Sequence, residues 1–121
     1  MSKNSITVDG VAYVRADSVP QPAEQLDGMK YVIVRTYSAG VFAGHLKERD
    51  GKEATLLKAR RLWYWRGAAS LSQLAMEGVT DLEACKFPCE VDSVTLTEVV
   101  EVLDATQAAQ ECISKVKTWK A

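Results

Sequence analysis

A short run of cationic and aromatic residues is the part of this sequence best suited to chemistry. Residues 58–66, KARRLWYWR, hold four cationic and three aromatic side chains in nine positions. An arginine fork matches a phosphate with two hydrogen bonds, and an aromatic face stacks on a nucleobase. The run therefore predicts a nucleotide site with Arg60, Arg61, Trp63 and Trp65 as candidates. The alternative is that the tryptophans form the core of a central strand, with the arginines at its rim.

A second candidate is the tripeptide Lys86, Phe87 and Pro88, which places an aromatic side chain beside a cation and a rigid proline. We expect it in a loop, and loops carry binding residues more often than packed strands do. Phe87 and Lys86 are therefore further candidates for contact with a ligand.

The residue types and their spacing disfavour metal binding and catalysis. Cys85 and Cys89 could supply two zinc ligands, but neither Cys112 nor His45, the sole histidine, stands at the spacing of a zinc site. We interpret the cysteines as reduced and buried, and we expect no metal and no cofactor. No nucleophile has an evident base and orienting group. Glu98 interrupts an apolar strand face and is expected to meet solvent or a partner, so the sequence does not indicate an enzyme.

Length and composition set limits on the class of protein. A chain of 121 residues is enough for one compact core, and its net charge of -1 lacks the basic field of a protein that coats DNA or RNA. No apolar run is long enough for a membrane span. The first residues show no signal peptide, so we expect a cytoplasmic protein.

The first 28 residues are predicted to be a leader, separate from one ligand-binding domain over residues 29–121. Residues 6–8 and 11–14 flank Asp9 and Gly10, a pair that favours a tight hairpin turn. The prolines at positions 20 and 22 then interrupt regular structure. A small hairpin followed by a linker is the simplest interpretation.

The remaining pattern predicts an α+β fold, an antiparallel β-sheet with two short helices. Asp50 and Gly51 indicate the turn of a long hairpin whose second arm extends to Trp65. Alternation along that arm puts Arg61, Trp63 and Trp65 on one face and Arg60 on the other. The other predicted elements are a strand over residues 31–37, a long strand over 94–103, and helices over 70–77 and 107–116.

Three segments resemble small proteins of tailed phages and prophages. They are RRLWYW at 60–65 followed by GAASLSQLA at 67–75, CKFPCEV at 85–91, and KYVIVRT at 30–36 with AGV at 39–41. Over about residues 29–115 the sequence is similar to the first-described family of Thoeris anti-defence proteins.

The resemblance implies a sponge, which binds and sequesters a cyclic ADP-ribose isomer made by bacterial immune TIR-domain enzymes. It also implies cyclic di- or trinucleotides as ligands at separate sites, a homodimer or higher oligomer with the pocket at a subunit interface, and the cytoplasm of the infected host. By this resemblance Phe87 stacks on the adenine, while Arg61, and Arg60 less securely, contact the phosphates. The amide that family members carry on the last long strand is replaced here by Thr97 and Glu98. Arg35 with Tyr37 is the candidate for the second kind of site.

Two other functions remain open. A phage assembly protein would use Trp63, Trp65 and the predicted strand over residues 94–103 for packing, and would not bind nucleotides. A weak phosphodiesterase or nucleoside hydrolase would need a carboxylate in the pocket, for which Glu98 and Glu90 are available.

Overall fold

The structure is a computed structural model that describes residues 21–121 in full and the backbone of residues 5–8 and 11–14. Strands β1 (Ser5–Val8) and β2 (Val11–Val14) pair in antiparallel fashion, with Val8 opposite Val11. This agrees with the predicted N-terminal hairpin. Its predicted turn at Asp9 and Gly10 lies outside the described residues.

The end of the predicted leader lies on the domain itself. The amide of Gln107 donates to the carbonyl of Gln21 (2.8 Å), and the amide of Ala23 donates to that of Ala105 (3.2 Å). Ala23 is buried in the core beneath the helices. Residues 21–24 therefore contribute to the packing of the domain, although the sequence pattern assigned them to a linker.

The main sheet has five antiparallel strands in the order β6-β5-β4-β3-β7. At its centre is the predicted hairpin, with Asp50 opposite Glu53 and Gly51 at a φ of 61°, a backbone conformation that glycine adopts without strain. The strands are β3 (Tyr31–Thr36), β4 (Val41–Asp50), β5 (Glu53–Arg61), β6 (Val91–Leu96) and β7 (Val99–Asp104).

The long strand predicted over residues 94–103 is wrong, because this segment forms two strands at opposite edges of the sheet. Only Thr97 and Glu98 separate β6 from β7. In a flat sheet the two edges would be about 19 Å apart, whereas the chain from Leu96 to Val99 spans at most about 11 Å. The sheet must therefore curve until its edges meet at this link, where Glu98 accepts a hydrogen bond from the Ser38 hydroxyl (2.6 Å).

The curved sheet separates two apolar clusters. One, which we call the strand-side core, consists only of strand residues among the described part of the chain, including Val34, Phe42 and Leu56. The other, the helix-side core, lies between the sheet and both helices and includes Ile33, Leu74, Phe87, Ala109 and Ile113.

Both helices match their predicted ranges to within one residue. Helix α1 (Leu71–Glu77) is capped by the hydroxyl of Ser70, which accepts from the Gln73 amide, and is followed by Gly78 at a φ of 80°. Helix α2 (Gln107–Lys115) is capped in the same way by Thr106. No helix in the described residues is long and apolar enough to cross a membrane.

Strand β5 contains a bulge that changes which side chains share a face. His45 pairs with Leu57 and Ala43 with Arg60, so Lys58 and Ala59 together stand opposite the single residue Gly44. The bulge turns Arg60 toward the helix-side core, whereas regular alternation would put it on the face of Leu56. β5 also ends at Arg61, so the predicted extension of this arm to Trp65 is wrong.

Candidate functional site

Arg60 is a buried structural cross-link. The residue is 8% exposed, and its guanidinium donates four hydrogen bonds to backbone carbonyls, which account for four of its five N–H groups. Two of these carbonyls, of Ile113 and Val116, belong to the C-terminal end of α2, where a positive charge is favourable. Burial lowers the pKa of Arg60, and the neighbouring Glu90 opposes that shift. Arg60 joins β5 to α2 and to the loop that carries Phe87.

Arg61 points to the opposite face of the sheet. Its guanidinium carbon lies 4.7 Å from the centre of the Phe42 ring, and Phe42 belongs to the strand-side core. The side chain of Arg61 is exposed, so it is free to meet an anion on that face. The structure therefore does not bring Arg60 and Arg61 into one site.

Phe87 is completely buried, with 0% exposure, in the helix-side core. Its carbonyl accepts a hydrogen bond from the amide of Trp119 (2.9 Å), so the C-terminal segment is tied to the loop that carries the ring. The expectation that Phe87 stacks on an adenine is corrected, because its ring presents no face to a ligand. Phe87 is a core residue, the role that the sequence had left open for Trp63 and Trp65.

The two tryptophans of residues 58–66 also differ from each other in burial. Trp63 is 64% exposed, which contradicts a place in the core, whereas Trp65 is half-buried against the helix-side core. The ammonium of Lys86 lies 5.8 Å from the ring centre of Tyr64 and 5.7 Å from that of Trp119. Lys86 therefore faces an exposed aromatic pair rather than a phosphate pocket.

The remaining candidates lie near the link between the sheet edges. Arg35 forms an exposed ion pair with Glu101 (2.7 Å), and Tyr37 is 80% exposed. The amide of Tyr37 donates to the carbonyl of Glu98, next to exposed Thr97. Tyr37 and Thr97 are thus near each other, but neither lines the cavity beside Arg60.

That cavity, of about 340 Å³, lies between the helix side of the sheet and the C-terminal part of α2. Of the predicted binding residues it contains Arg60 alone, and of the two candidate carboxylates it contains Glu90. Its lining also includes His45. The other lining residues, which the sequence did not single out, are Tyr31, Lys58, Gln110, Ile113, Ser114, Val116 and Thr118.

The cavity presents cationic and neutral polar groups, and also the carboxylate of Glu90. Lys58 is half exposed and lies 3.9 Å from a carboxylate oxygen of exposed Asp92, a separation at which water screens most of the attraction. The ring of Tyr31 meets that of His45 edge-on at 5.2 Å between centres. Burial raises the pKa of Tyr31, so its phenol stays neutral. The cavity can therefore hold a ligand with a negative group and several hydroxyls.

The orientation of His45 follows from its hydrogen bond. Its Nδ1 lies 3.2 Å from the carbonyl oxygen of Met29, which can only accept. In the neutral ring the proton is therefore on Nδ1, and Nε2 is an acceptor. A ligand hydroxyl would find a partner there.

The thiols are all free in the described residues, and no group of three or more metal-ligating side chains occurs there. Cys85 is buried, and its pKa is raised by burial. Cys89 is exposed, so the interpretation of all the cysteines as buried is wrong for this residue.

Comparison with known proteins gives one result. A family model described as a domain of unknown function, DUF6948, matches residues 29–113, which is most of the chain. No curated protein and no solved structure gives a significant match. The match begins at the predicted start of the domain and includes β5 and α2 as far as Ile113. The chain belongs to the DUF6948 family, a domain of unknown function.

Proposed function

We propose that this protein binds an anionic cyclic nucleotide, of the cyclic ADP-ribose type, and sequesters it without cleaving it. The proposal includes the setting implied by the resemblance to Thoeris anti-defence proteins: a phage protein acting as a sponge in the cytoplasm of the infected bacterial host. Cyclic oligonucleotides are additional ligands within the same proposal, and DNA and RNA are not.

The observation that carries the proposal is the cavity beside Lys58. Its volume of about 340 Å³ is within the range of small-molecule sites. Lys58 supplies a mobile positive charge, which suits a phosphate. His45 and Ser114 supply hydrogen-bonding groups suited to ribose hydroxyls.

The proposed site differs from the one that the resemblance implied. Phe87 is buried and Arg61 faces the strand side, so neither lines the cavity. The Tyr31 and His45 rings contact each other edge-on at the cavity, but both residues are buried, so stacking on a base is not part of the proposal.

Self-association, as a homodimer or higher oligomer, is part of the proposal. β7 is an edge strand of the sheet, and Val100 on it is 49% exposed. An edge strand offers unpaired backbone groups to a second copy. Sedimentation at micromolar concentration tests this part, and a monomer would contradict it.

The experiment that tests the function is ligand capture. Purified protein is incubated with an extract of cells in which a TIR-domain enzyme is active, washed, and denatured by heat, and the released material is analysed by mass spectrometry. We expect an intact cyclic nucleotide at about one equivalent per site. Release of nothing above the level of a heat-denatured control would overturn the proposal.

Hydrolysis is the second candidate function, since Glu90 lines the cavity with Tyr31 and His45. A carboxylate in the cavity could act as a general base. The same capture experiment separates the two functions. A cleaved product that accumulates beyond one equivalent indicates turnover, and Glu90→Gln would then abolish it.

An assembly role is the third candidate, favoured by the exposed rings of Trp63, Tyr64 and Trp119. Exposed aromatic residues are enriched at protein interfaces. An assembly protein would release no nucleotide in the capture experiment, and it would lose its partner when Trp63 is replaced by Ser.

A further inference from the structure

Lys58 occupies a backbone position that normally belongs to glycine. Its φ is 51°, in the left-handed region, and it is the first of the two bulge residues opposite Gly44. Bulges of this shape usually carry glycine there, because a side chain at positive φ crowds the backbone. A lysine has no local structural reason to be placed at this point.

The surrounding contacts do not explain the lysine either. Its partner Asp92 is fully exposed and 3.9 Å away, so the pair adds little to stability. The bulge itself depends on Gly44, where a Cβ would lie 3.0 Å from the Cα of Ala59 and 3.1 Å from the carbonyl oxygen of Leu57. The close approach of β4 to β5 therefore favours glycine at position 44, while Lys58 adopts the positive φ of the bulge.

What Lys58 does gain is its place in the cavity. The bulge puts Lys58 on the same cavity lining as Arg60, whose guanidinium is already committed to four carbonyls. Lys58 is consequently the cation of the cavity that is available to a ligand. Strained backbone held at a binding site is a recurring sign that the side chain serves function rather than stability.

We propose that Lys58 is the phosphate anchor of the cavity, and that the bulge trades stability for its placement. The inference rests on the proposed function and names the residue that binds the ligand's anionic group. Arg60 is then a positioning residue, which holds β5 against α2 and keeps the cavity open.

The test compares Lys58→Gly and Lys58→Asn with the native protein and with Arg61→Ala, a cation removed from the other face. Each is melted without ligand and titrated with cyclic ADP-ribose. We expect the Tm of Lys58→Gly to rise by about 3 °C, since glycine relieves the strain, and that of Lys58→Asn to stay equal or rise. Affinity should fall about ten- to a hundredfold in both and stay within twofold in Arg61→Ala.

The outcomes separate the inference from the function beneath it. Native affinity in both Lys58 variants overturns the anchor and leaves the proposed function standing. A Tm lowered by several degrees in Lys58→Gly overturns the trade between stability and binding. Absence of binding by the native protein to cyclic ADP-ribose counts against the proposed function, and the anchor falls with it.

Discussion

The guanidinium carbon of Arg60 lies 5.4 Å from the centre of the Phe87 ring, and one of its amino groups donates to the Phe87 carbonyl (3.2 Å). Both side chains are buried. Arg60 and Phe87, which were both predicted to contact a ligand, therefore contact each other in the interior. Together they fix the positions of β5, the loop that carries Phe87 and the end of α2. These elements also surround the cavity.

Arg60→Met should destabilise the fold by about 3 kcal/mol or more, because four backbone carbonyls lose a charged donor at once. Arg61→Ala is the matched control and should cost about 1 kcal/mol or less, since an exposed cation over a ring contributes little. Urea denaturation measures both. Equal losses in the two variants would contradict the structural role of Arg60.

Phe87→Ala should lower the free energy of unfolding by about 3 to 5 kcal/mol, because a fully buried ring leaves a cavity behind. Phe87→Leu fills most of that space and should cost about 1.5 kcal/mol. Thermal melts without ligand distinguish them. If Phe87→Ala melts within 1 or 2 °C of the native protein, the ring is not part of the core.

A chain that begins at Met29 should be less stable than one that begins at Gln21. The shorter chain loses the backbone hydrogen bonds from Gln107 to Gln21 and from Ala23 to Ala105, together with the buried Ala23 side chain. We expect a difference of about 2 kcal/mol in urea denaturation. Indistinguishable midpoints would mean that residues 21–28 are a true linker.

Stability should fall at alkaline pH because of Tyr31. Burial raises its pKa above the ordinary value of 10.0, so above about pH 10 the unfolded chain releases a proton that the folded chain keeps. The unfolded state then binds fewer protons, and the free energy of unfolding decreases as pH rises. Cys85 acts in the same direction from its ordinary value of 9.0.

Tyr31→Phe should remove part of this alkaline loss, seen as a shallower dependence of the urea midpoint on pH between about 9.5 and 11. Exposed Tyr37→Phe is the matched control. An unchanged slope in Tyr31→Phe would contradict the buried environment of this phenol.

Local signals predicted most of the fold. The Asp50 and Gly51 turn, the Ser70 cap with Gly78, and the Thr106 cap act within a few residues, so the sequence shows them directly. The two strands on either side of Thr97 and Glu98 were not separable by pattern, since apolar residues recur along both. Their separation depends on the curvature of the whole sheet.

The site was much less predictable. Tyr31, His45, Lys58 and Ser114 come from four different elements, and no spacing in the sequence joins them. Arg60 and Arg61 lie on opposite faces, as their alternation predicted, but the alternation did not show that the bulge at Lys58 turns Arg60 toward the helix-side core. Burial of Phe87 depends on its contact with Arg60, which is 27 residues away in the chain. The composition of residues 58–66 did not show that Arg60 is buried among backbone carbonyls while Arg61 is exposed.

A large side chain placed in the cavity tests directly whether this cavity binds the ligand. Ser114 lines it from the exposed side of α2, whereas Glu111 on the same helix is exposed and lies outside it. Ser114→Trp and Glu111→Trp add the same ring to the same helix, and calorimetric titration with cyclic ADP-ribose compares them with the native protein. We expect the affinity of Ser114→Trp to fall at least tenfold, while the affinity of Glu111→Trp stays within about twofold of the native value. Native affinity in Ser114→Trp, with the chain folded by its thermal melt, would contradict the assignment of this cavity as the ligand site.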